Sequence, residues 1–383
     1  MNRPPSFDGE NGNKGNGFAQ IGASTETGAT HSCHFTAQRN KEAVDDFFGL
    51  YSGSSQYTDD DFTPGHDSLF WADRDEEESE WEKRVEWKRA NEVFTNHSLF
   101  GSEGVTPEDI RQGFIGNCWF VVGASALAER AHRLERVFLN SEHTLSPNGI
   151  YGVNFYTLGV PHTVIIDDWL PLQEWGDGYN TLFARVGPDQ AIWVPLLEKA
   201  FAKYHGNYSH IVAGNPMYSI RSLSGAPFFS EMHHESSRSS GIAVDALWAK
   251  ITEMDGGDHM ITAGTPTYFK TGVDAHGLVR MHAYLVLSHI EVTDANNKTT
   301  RLVKMRNPQA TDYFIGDWSD TSDKWTESLK EQAGYERSNN GIFFMSIEDY
   351  HKLFEETYFS LDTTNWHFGS YLNLDDADKP SLG

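Results

Sequence analysis

Disulfide bonds and membrane-spanning segments are what this sequence most clearly lacks. Its 383 residues include only two cysteines, Cys33 and Cys118, which are too few for a disulfide framework and fit a reducing, intracellular compartment. No apolar run is long enough to cross a bilayer, and the polar N-terminus, rich in glycine and asparagine, is unlike a secretory signal. We therefore expect a cytoplasmic protein without a transmembrane segment.

Basic residues are also scarce. The chain has 30 lysines and arginines against 55 aspartates and glutamates, which gives a formal net charge of −25 at pH 7. Nucleic acids and anionic lipids both favour a basic surface, so neither is an expected partner. Strong acidity keeps a protein soluble, and it also attracts cations such as calcium and basic segments of a substrate.

The remaining composition predicts two lobes between two tails. Residues 1–56 are rich in glycine, asparagine and serine, so we expect a disordered tail in which Cys33 is an ordinary exposed thiol. Residues 57–222 form a predicted first lobe and residues 223–362 a predicted second, β-rich lobe, supported by a hydrophobic content of 38%. Residues 363–383 form a C-terminal tail that we expect to be too short for a further domain.

Periodicity and glycine positions predict the main elements of these lobes. A helical pattern runs over residues 191–204 and ends before Gly206, and glycines make residues 206–227 a predicted hinge. Alternating patterns predict strands, and Ser346 and Asp349 begin a short helix. The predicted strands are residues 150–157, 162–167, 282–292, 299–307, 341–345 and 358–361.

Cys118 is the first candidate for chemistry. It follows a loop containing Gly113 and Gly116 and precedes the apolar run 119–127, which is typical of a buried helix. A thiol at a helix N-terminus has a lowered pKa, and the thiolate is the nucleophilic form. A lone cysteine is more often a buried structural residue, so its assignment as a nucleophile depends on finding partners for it.

His282 and Asn307 are the predicted partners. If strands 282–292 and 299–307 form a hairpin centred between Asp294 and Ala295, His282 and Asn307 face each other at its open end. An amide oxygen beside a histidine fixes one tautomer and leaves the other ring nitrogen free to pair with a thiolate. The alternative is that both residues simply flank ordinary strands, since the chain has 17 histidines.

Gln112 is a candidate donor for an oxyanion. It lies six residues before Cys118, in the same loop. Its side-chain NH2 group and the Cys118 backbone N–H are two donors that could stabilise the oxyanion of a tetrahedral intermediate. A solvated loop glutamine is the alternative.

These motifs and several others resemble the catalytic core of calpains, over roughly residues 57–362. The resembling segments are QGFIGNCWF (112–120), VIIDDWLPL (164–172), LLEKAFAKYHGNY (196–208), HAY (282–284), VKMRNP (303–308) and GIFFMSIEDY (341–350). The resemblance implies an α+β, papain-like two-lobe protease core with a mainly helical first lobe and a mainly antiparallel β second lobe. It also implies a cysteine endopeptidase acting on proteins or peptides.

By the same resemblance, the catalytic residues have assigned roles. Cys118 is the nucleophile, His282 the general base and acid, Asn307 the residue that orients His282, and Gln112 the oxyanion donor. The resemblance leaves the oligomeric state open.

The resemblance further implies calcium as a cofactor, with one site in each lobe. In the first lobe, Asp109 and Glu198 match the carboxylate ligands, and the backbone around Ser102 and Gly104 matches the carbonyl ligands. In the second lobe Asp320 fits, but asparagines stand where the family usually has carboxylates, which predicts a weaker site.

Three departures from the family pattern keep other functions open. Calpains usually have Trp, Gly and Asp where this chain has Gln309, Met281 and Asn117. Gln309, Met281 and the weaker second calcium site make a calpain-like protein with weakened catalysis, which binds or regulates, one alternative. A transglutaminase-type acyltransferase, which also uses a Cys-Trp pair but orients its histidine with aspartate, is a less favoured one.

Overall fold

The computed structural model describes residues 32–70 and 82–361, except 103, 141–143, 158–159, 177, 236–239, 267–271, 312–313 and 338–339. For residues 32–40 and 82 it describes the backbone alone. The predicted tail of residues 363–383, residues 1–31 of the other tail and the Cys33 side chain therefore lie outside the described residues.

The fold is α+β, with a mainly helical first lobe and a second lobe built on an antiparallel sheet, as the sequence predicts. The first-lobe helices are α1 (Ser32–Tyr51), α2 (His66–Leu69), α3 (Ala90–Val93), α4 (Cys118–Ala128), α5 (Ala131–Glu135), α6 (Trp193–His205) and α7 (Pro216–Ser224). The first-lobe strands are β1 (Glu86–Arg89), β2 (Ile150–Thr157), β3 (Val160–Asp167), β4 (Trp169–Trp175) and β5 (Gly178–Thr181). Strands β2 and β3 form the predicted hairpin, and β1, β4 and β5 form a second small sheet in the order β1-β4-β5.

Helix α1 corrects the prediction of a disordered tail over residues 1–56. Its 20 residues form a helix whose Phe47 is completely buried. Phe47 contacts β2 so closely that a Cβ on Gly152 would lie 2.9 Å from its ring. Burial of this aromatic ring, rather than the mostly polar composition, explains the order of α1.

Helix α4 lies at the centre of the molecule. Every residue from Trp119 to Ala128 is buried, which is typical of a helix surrounded by protein on all sides. It packs against α7 of the first lobe and against strands of the second. No helix among the described residues, α4 included, is long and apolar enough to span a membrane.

Helix α7 spans the predicted lobe boundary at residue 222. It lies within residues 206–227, the predicted hinge, and begins with Asn215 capping the Met217 N–H and Pro216 in the first turn. It ends at Gly225, whose φ of 70° favours glycine. Helix α7 packs on α4 and β2 of the first lobe and also on β11 (Glu356–Ser360), which belongs to the sheet of the second lobe.

The second lobe is organised around one antiparallel sheet with the strand order β10-β9-β8-β7-β11-β6. Its strands are β6 (Phe228–Met232), β7 (Met260–Gly264), β8 (Ala283–Thr293), β9 (Thr299–Arg306), β10 (Ile342–Ser346) and β11 (Glu356–Ser360). Its helices are α8 (Val244–Asp255), α9 (Glu327–Ala333) and α10 (Ile347–Leu353). The Ser346 hydroxyl caps α10 by accepting the Asp349 N–H, as predicted.

The β8–β9 hairpin has a different register from the predicted one. Thr293 pairs with Thr299, so the turn is centred on Asn296, and a bulge between Val286 and Ser288 shifts the pairing again near the open end. Leu285 then faces Arg306, so His282 is not directly opposite Asn307. The two residues nevertheless lie at the same end of the hairpin.

The two lobes share a hydrophobic core. The first-lobe core, which includes Trp119, Phe120 and Phe201, continues into the second lobe through Met260, Ala283 and Leu285. A second cluster fills the space between the large sheet and helices α8 and α10. The lobe interface is thus apolar near its centre, and the residue just before Ala283 is His282.

Candidate active site

Cys118 is the first residue of α4, at the lobe interface. It is partly exposed, and its sulfur accepts a hydrogen bond from the backbone N–H of Ala283. Burial raises the pKa of the Cys118 thiol above its ordinary value of 9.0, and hydrogen bonds from the Ala283 and Trp119 backbones only oppose that shift. The predicted lowering of this pKa is therefore wrong for this arrangement, because burial disfavours the thiolate more than its N–H donors stabilise it.

His282 lies beside Asn307 in spite of the altered register. Its Nε2 is 2.9 Å from Asn307 Oδ1, which also accepts the Gln309 backbone N–H at 3.0 Å. The Asn307 Oδ1 atom is an amide oxygen, so it can accept hydrogen bonds but cannot donate one. The His282 Nε2 beside it must therefore carry the ring proton. Its Nδ1 is then the nitrogen that can take a proton from a thiol.

Thr265 holds the His282 backbone and was not found by sequence reasoning. Its hydroxyl oxygen accepts the His282 N–H at 3.0 Å, and its own N–H donates to the His282 carbonyl at 3.0 Å. The Tyr284 ring stands perpendicular to the imidazole, with 5.0 Å between ring centroids. Thr265 is 17 residues before His282 and follows β7 directly, so only the pairing of β7 with β8 brings them together.

Gln112 lies in a loop fixed to both lobes. Its backbone N–H donates to the Pro308 carbonyl at 3.0 Å, next to Asn307. Its side-chain Nε2 donates to the Ile115 carbonyl at 2.9 Å, which engages one of the two protons of this NH2 group. The structure thus places Gln112 in the loop that leads to Cys118, as the sequence predicts.

The imidazole is neutral near neutral pH. Burial lowers the pKa of His282 to about 4, although the Asn307 hydrogen bond opposes the shift. A neutral imidazole beside a neutral thiol can accept the thiol proton as the sulfur attacks. The site therefore holds a thiol, a neutral imidazole and an amide oxygen that fixes the position of the ring proton.

The comparisons with known proteins point to one family. The family model "Calpain family cysteine protease" matches residues 57–360. The chain belongs to the calpain family of cysteine proteases. It is 31% identical over 314 residues to the calpain-type cysteine protease DEK1 of Arabidopsis thaliana, covering 80% of this chain and 14% of DEK1.

Two animal calpains match over similar stretches. Calpain-13 of Rattus norvegicus is 30% identical, with 72% of this chain and 40% of the relative covered. Calpain-14 of Homo sapiens is 32% identical, with 70% of this chain and 37% of the relative covered. The chain thus spans less than half the length of these curated calpains.

Arg306 joins the strand before Asn307 to the first lobe, and sequence reasoning missed it. It is completely buried, and its Nη2 donates to the Ile110 carbonyl at 2.6 Å. Burial lowers the pKa of Arg306 to about 10, while Glu108 raises it. Its position immediately before Asn307 is the only sequence signal that could have drawn attention to it.

The two carboxylates of the first predicted calcium site, Asp109 and Glu198, accept hydrogen bonds from other protein groups. Asp109 Oδ2 accepts the Thr106 N–H at 2.9 Å and the Trp193 indole N–H at 3.4 Å. Glu198 is buried, and its two oxygens accept Asn117 Nδ2 at 2.6 Å and the Ala184 N–H at 2.7 Å. Burial raises the pKa of Glu198 to about 7, while hydrogen bonds from the Ala184 backbone and the Asn117 side chain oppose the shift.

The segment around Ser102 and Gly104, which was predicted to supply backbone carbonyl ligands, lies beside Asp189. The Ser102 N–H donates to Asp189 Oδ2 at 2.8 Å, and Gly104 is exposed with a φ of 84°. Asp189 also lies near enough to Asp109 to raise its pKa, after the larger effect of burial. Sequence reasoning did not find Asp189.

The second predicted site offers even fewer ligands. Asp320 Oδ1 accepts the Tyr335 hydroxyl at 2.9 Å, and Asn339 lies outside the described residues. Among the described residues, no group of three or more His, Cys, Asp or Glu side chains could hold a metal ion. In this arrangement Asp109 and Asp320 each use one carboxylate oxygen to accept from a protein donor, and Glu198 uses both.

Proposed function

We propose that this chain is a cysteine endopeptidase in which Cys118 attacks peptide carbonyls and His282, oriented by Asn307, transfers the protons. The single observation that carries the proposal is the 2.9 Å hydrogen bond from His282 Nε2 to Asn307 Oδ1. This bond leaves Nδ1 free at the interface where the neighbouring Ala283 N–H contacts the Cys118 sulfur. Protein or peptide segments are the proposed substrates, and the net charge of −25 favours basic ones.

The catalytic sequence follows from these positions. Cys118 Sγ bonds to the carbonyl carbon while its proton moves to His282 Nδ1. The Cys118 N–H and the free Gln112 side-chain proton stabilise the oxyanion. His282 then protonates the leaving amine, and a water molecule activated by His282 releases the acid from the sulfur.

A quenched fluorescent peptide library tests the proposal. Wild-type protein should cleave peptides, and Cys118→Ala should abolish cleavage while leaving the fold unchanged by circular dichroism. Cleavage by Cys118→Ala at the wild-type rate would assign the activity to another residue or to a contaminant.

A binding protein with weakened catalysis is the alternative that the structure favours most. The raised pKa of the Cys118 thiol lowers the fraction of thiolate, which supports this alternative. Tight peptide binding without turnover, in calcium and in chelator, would select it. A transglutaminase-type activity is disfavoured by Asn307, and incorporation of a labelled amine would be its evidence.

Calcium dependence is a separate part of the proposal. Membership of the calpain family supports it, whereas the donors that occupy Asp109 and Glu198 argue against it. Peptide cleavage measured in calcium and in chelator decides between the two. Full activity in chelator would remove calcium from the proposed function.

A cytoplasmic location is proposed on the scarcity of cysteine alone. Fractionation of cells that express the tagged chain tests it, and recovery in a secreted or membrane fraction would contradict it.

A further inference from the structure

The end of α4 opposite Cys118 carries a charged contact between the lobes. Asp258 lies in the second lobe, in the turn between α8 and β7, and faces the corner between α4 and α5. Its Oδ1 is 2.9 Å from Arg130 Nε and 2.8 Å from Arg133 Nη2, and its Oδ2 is 2.6 Å from His132 Nε2. One second-lobe carboxylate thus takes three first-lobe partners, a cluster that we call the Asp258 clamp.

Backbone hydrogen bonds extend the Asp258 clamp on both sides. Arg130 Nη2 donates to the Gly257 carbonyl at 3.2 Å, and Arg133 Nη2 donates to the His259 carbonyl at 3.1 Å. Arg133 also donates to the Ala126 carbonyl within α4 and to Glu129 at 3.2 Å. The guanidinium of Arg133 is therefore fixed to α4 on one side and to the second lobe on the other.

Burial distinguishes the Asp258 clamp from an ordinary surface ion pair. The Arg133 side chain is only 7% exposed and Asp258 only 19%, so water screens their attraction weakly. Burial acts to raise the pKa of Asp258, but hydrogen bonds from His132 and Arg133 outweigh it, and the net shift is downward. Arg130 is about half exposed and contributes little by comparison.

Strand β7 and the hydrogen bonds of Thr265 connect Asp258 to His282. Strand β7 begins at Met260, two residues after Asp258, and ends at Gly264, which pairs with Ala283. Thr265 follows directly and holds the His282 backbone by two hydrogen bonds. On the first-lobe side, the partners of Asp258 lie in α5 and at its N-cap, and Arg133 is bonded to the Ala126 carbonyl of α4, the helix that begins at Cys118. The clamp and the catalytic pair therefore lie at the two ends of one contact between α4 and β7–β8.

We propose that Asp258 is a positioning residue, which aligns α4 with β7 and so sets Cys118 against His282. This inference rests on the proposed function for its catalytic consequence, but the alignment itself does not.

The variant Asp258→Asn removes the charge with little change of shape, and Asp258→Glu keeps the charge. The matched control is Asp245→Asn, because Asp245 forms an ion pair with Arg301 within the second lobe at 2.8 Å. We expect Asp258→Asn to lower kcat roughly tenfold, because small misplacements of reacting groups cost one to two orders of magnitude. The KM of Asp258→Asn should change less than about twofold. Asp258→Glu should recover most of the lost kcat. Asp245→Asn should have the kcat and KM of the wild type.

Hydrogen exchange gives a readout that does not need activity. Asp258→Asn should speed exchange at Gly257 and His259, and also at Thr265 and Ala283, which Asp258 does not touch. Asp245→Asn should leave all four unchanged. Unchanged exchange at Thr265 and Ala283 in Asp258→Asn, or a wild-type kcat, would overturn the proposal.

The two proposals fail in different ways. A wild-type protein that cleaves no peptide would contradict the proposed endopeptidase, and the exchange data would still decide whether Asp258 aligns the lobes. An active wild type with an unaffected Asp258→Asn would contradict the positioning role alone.

Discussion

At the scale of single residues, the site depends on orientation more than on charge. His282 is buried and neutral, and its ring position is set by one hydrogen bond to Asn307 and by the Thr265 contacts to its backbone. The sequence predicted His282 and Asn307 because each type has a specific role beside a thiol. It could not predict Thr265 or Arg306, whose roles arise only when distant segments meet.

The hydrogen bond between His282 and Asn307 gives the first prediction. Asn307→Ala should lower kcat by roughly 10- to 100-fold with little change in KM, because the imidazole loses its orienting partner. Steady-state kinetics on a fluorescent peptide provide the measurement. Asn297→Ala, in the distant β8–β9 turn, is the control, and equal kcat values for both variants would contradict the role of Asn307.

The second prediction concerns Met281, the residue directly before His282. Its φ of 52° is a left-handed conformation that costs a side-chain-bearing residue roughly 1 kcal/mol, and Met281 is about half exposed. Met281→Gly should therefore be more stable than Met281→Ala by about 1 kcal/mol, measured by urea unfolding. A less stable glycine variant would mean that the left-handed backbone here is not strained.

At the scale of elements, the sequence pattern predicts the helices and strands that are determined by residues close together in the chain. Helix α6 ends at Gly206, the β2–β3 hairpin forms, and Ser346 caps α10, as predicted. Strand β7 was not predicted, because its place between β8 and β11 depends on pairing with distant strands. The predicted β8–β9 register was wrong because the turn is centred on Asn296 and not between Asp294 and Ala295. The bulge at Val286–Ser288 then shifts the pairing by one residue near the open end, and no local pattern marks it.

The loop before α4 gives an element-scale prediction. A Cβ on Gly113 would lie 1.5 Å from the Phe183 carbonyl oxygen, whereas one on Gly116 would have no neighbour closer than 3.9 Å. Gly113→Ala should lower the free energy of unfolding by about 3 kcal/mol or more, because the backbone must move. Gly116→Ala should cost less than about 1 kcal/mol. Thermal or urea unfolding of the pair is the measurement, and equal losses would show that the loop adapts.

At the scale of the whole molecule, buried ionisable groups couple stability to pH. Burial lowers the pKa of His233 to about 3 and that of His205 and His282 to about 4, all from an ordinary 6.5. Below pH 6.5 the unfolded chain takes up protons that the native protein does not, so stability falls as the pH falls toward 4. Burial of Glu129 acts in the opposite direction, since it raises that pKa to about 8.

A single variant isolates the histidine contribution. His233→Gln can keep a hydrogen bond to Thr357, which lies 2.7 Å from His233 Nε2, and cannot become charged. The loss of unfolding free energy between pH 6.5 and pH 4 should be smaller in His233→Gln than in wild type by at least about 1 kcal/mol. The surface variant His66→Gln is the control. Identical pH dependence for His233→Gln and the wild type would place the proton uptake elsewhere.

The shared core around α4 has a consequence for how the molecule denatures. Met260, Ala283 and Leu285 complete the first-lobe core, so separating the lobes exposes apolar surface on both. Two lobes joined in this way should melt as one cooperative unit, with a single heat-capacity peak and a calorimetric enthalpy equal to the van't Hoff enthalpy. For the same reason, the two halves expressed as separate polypeptides should aggregate alone and regain a soluble, folded state only when refolded together.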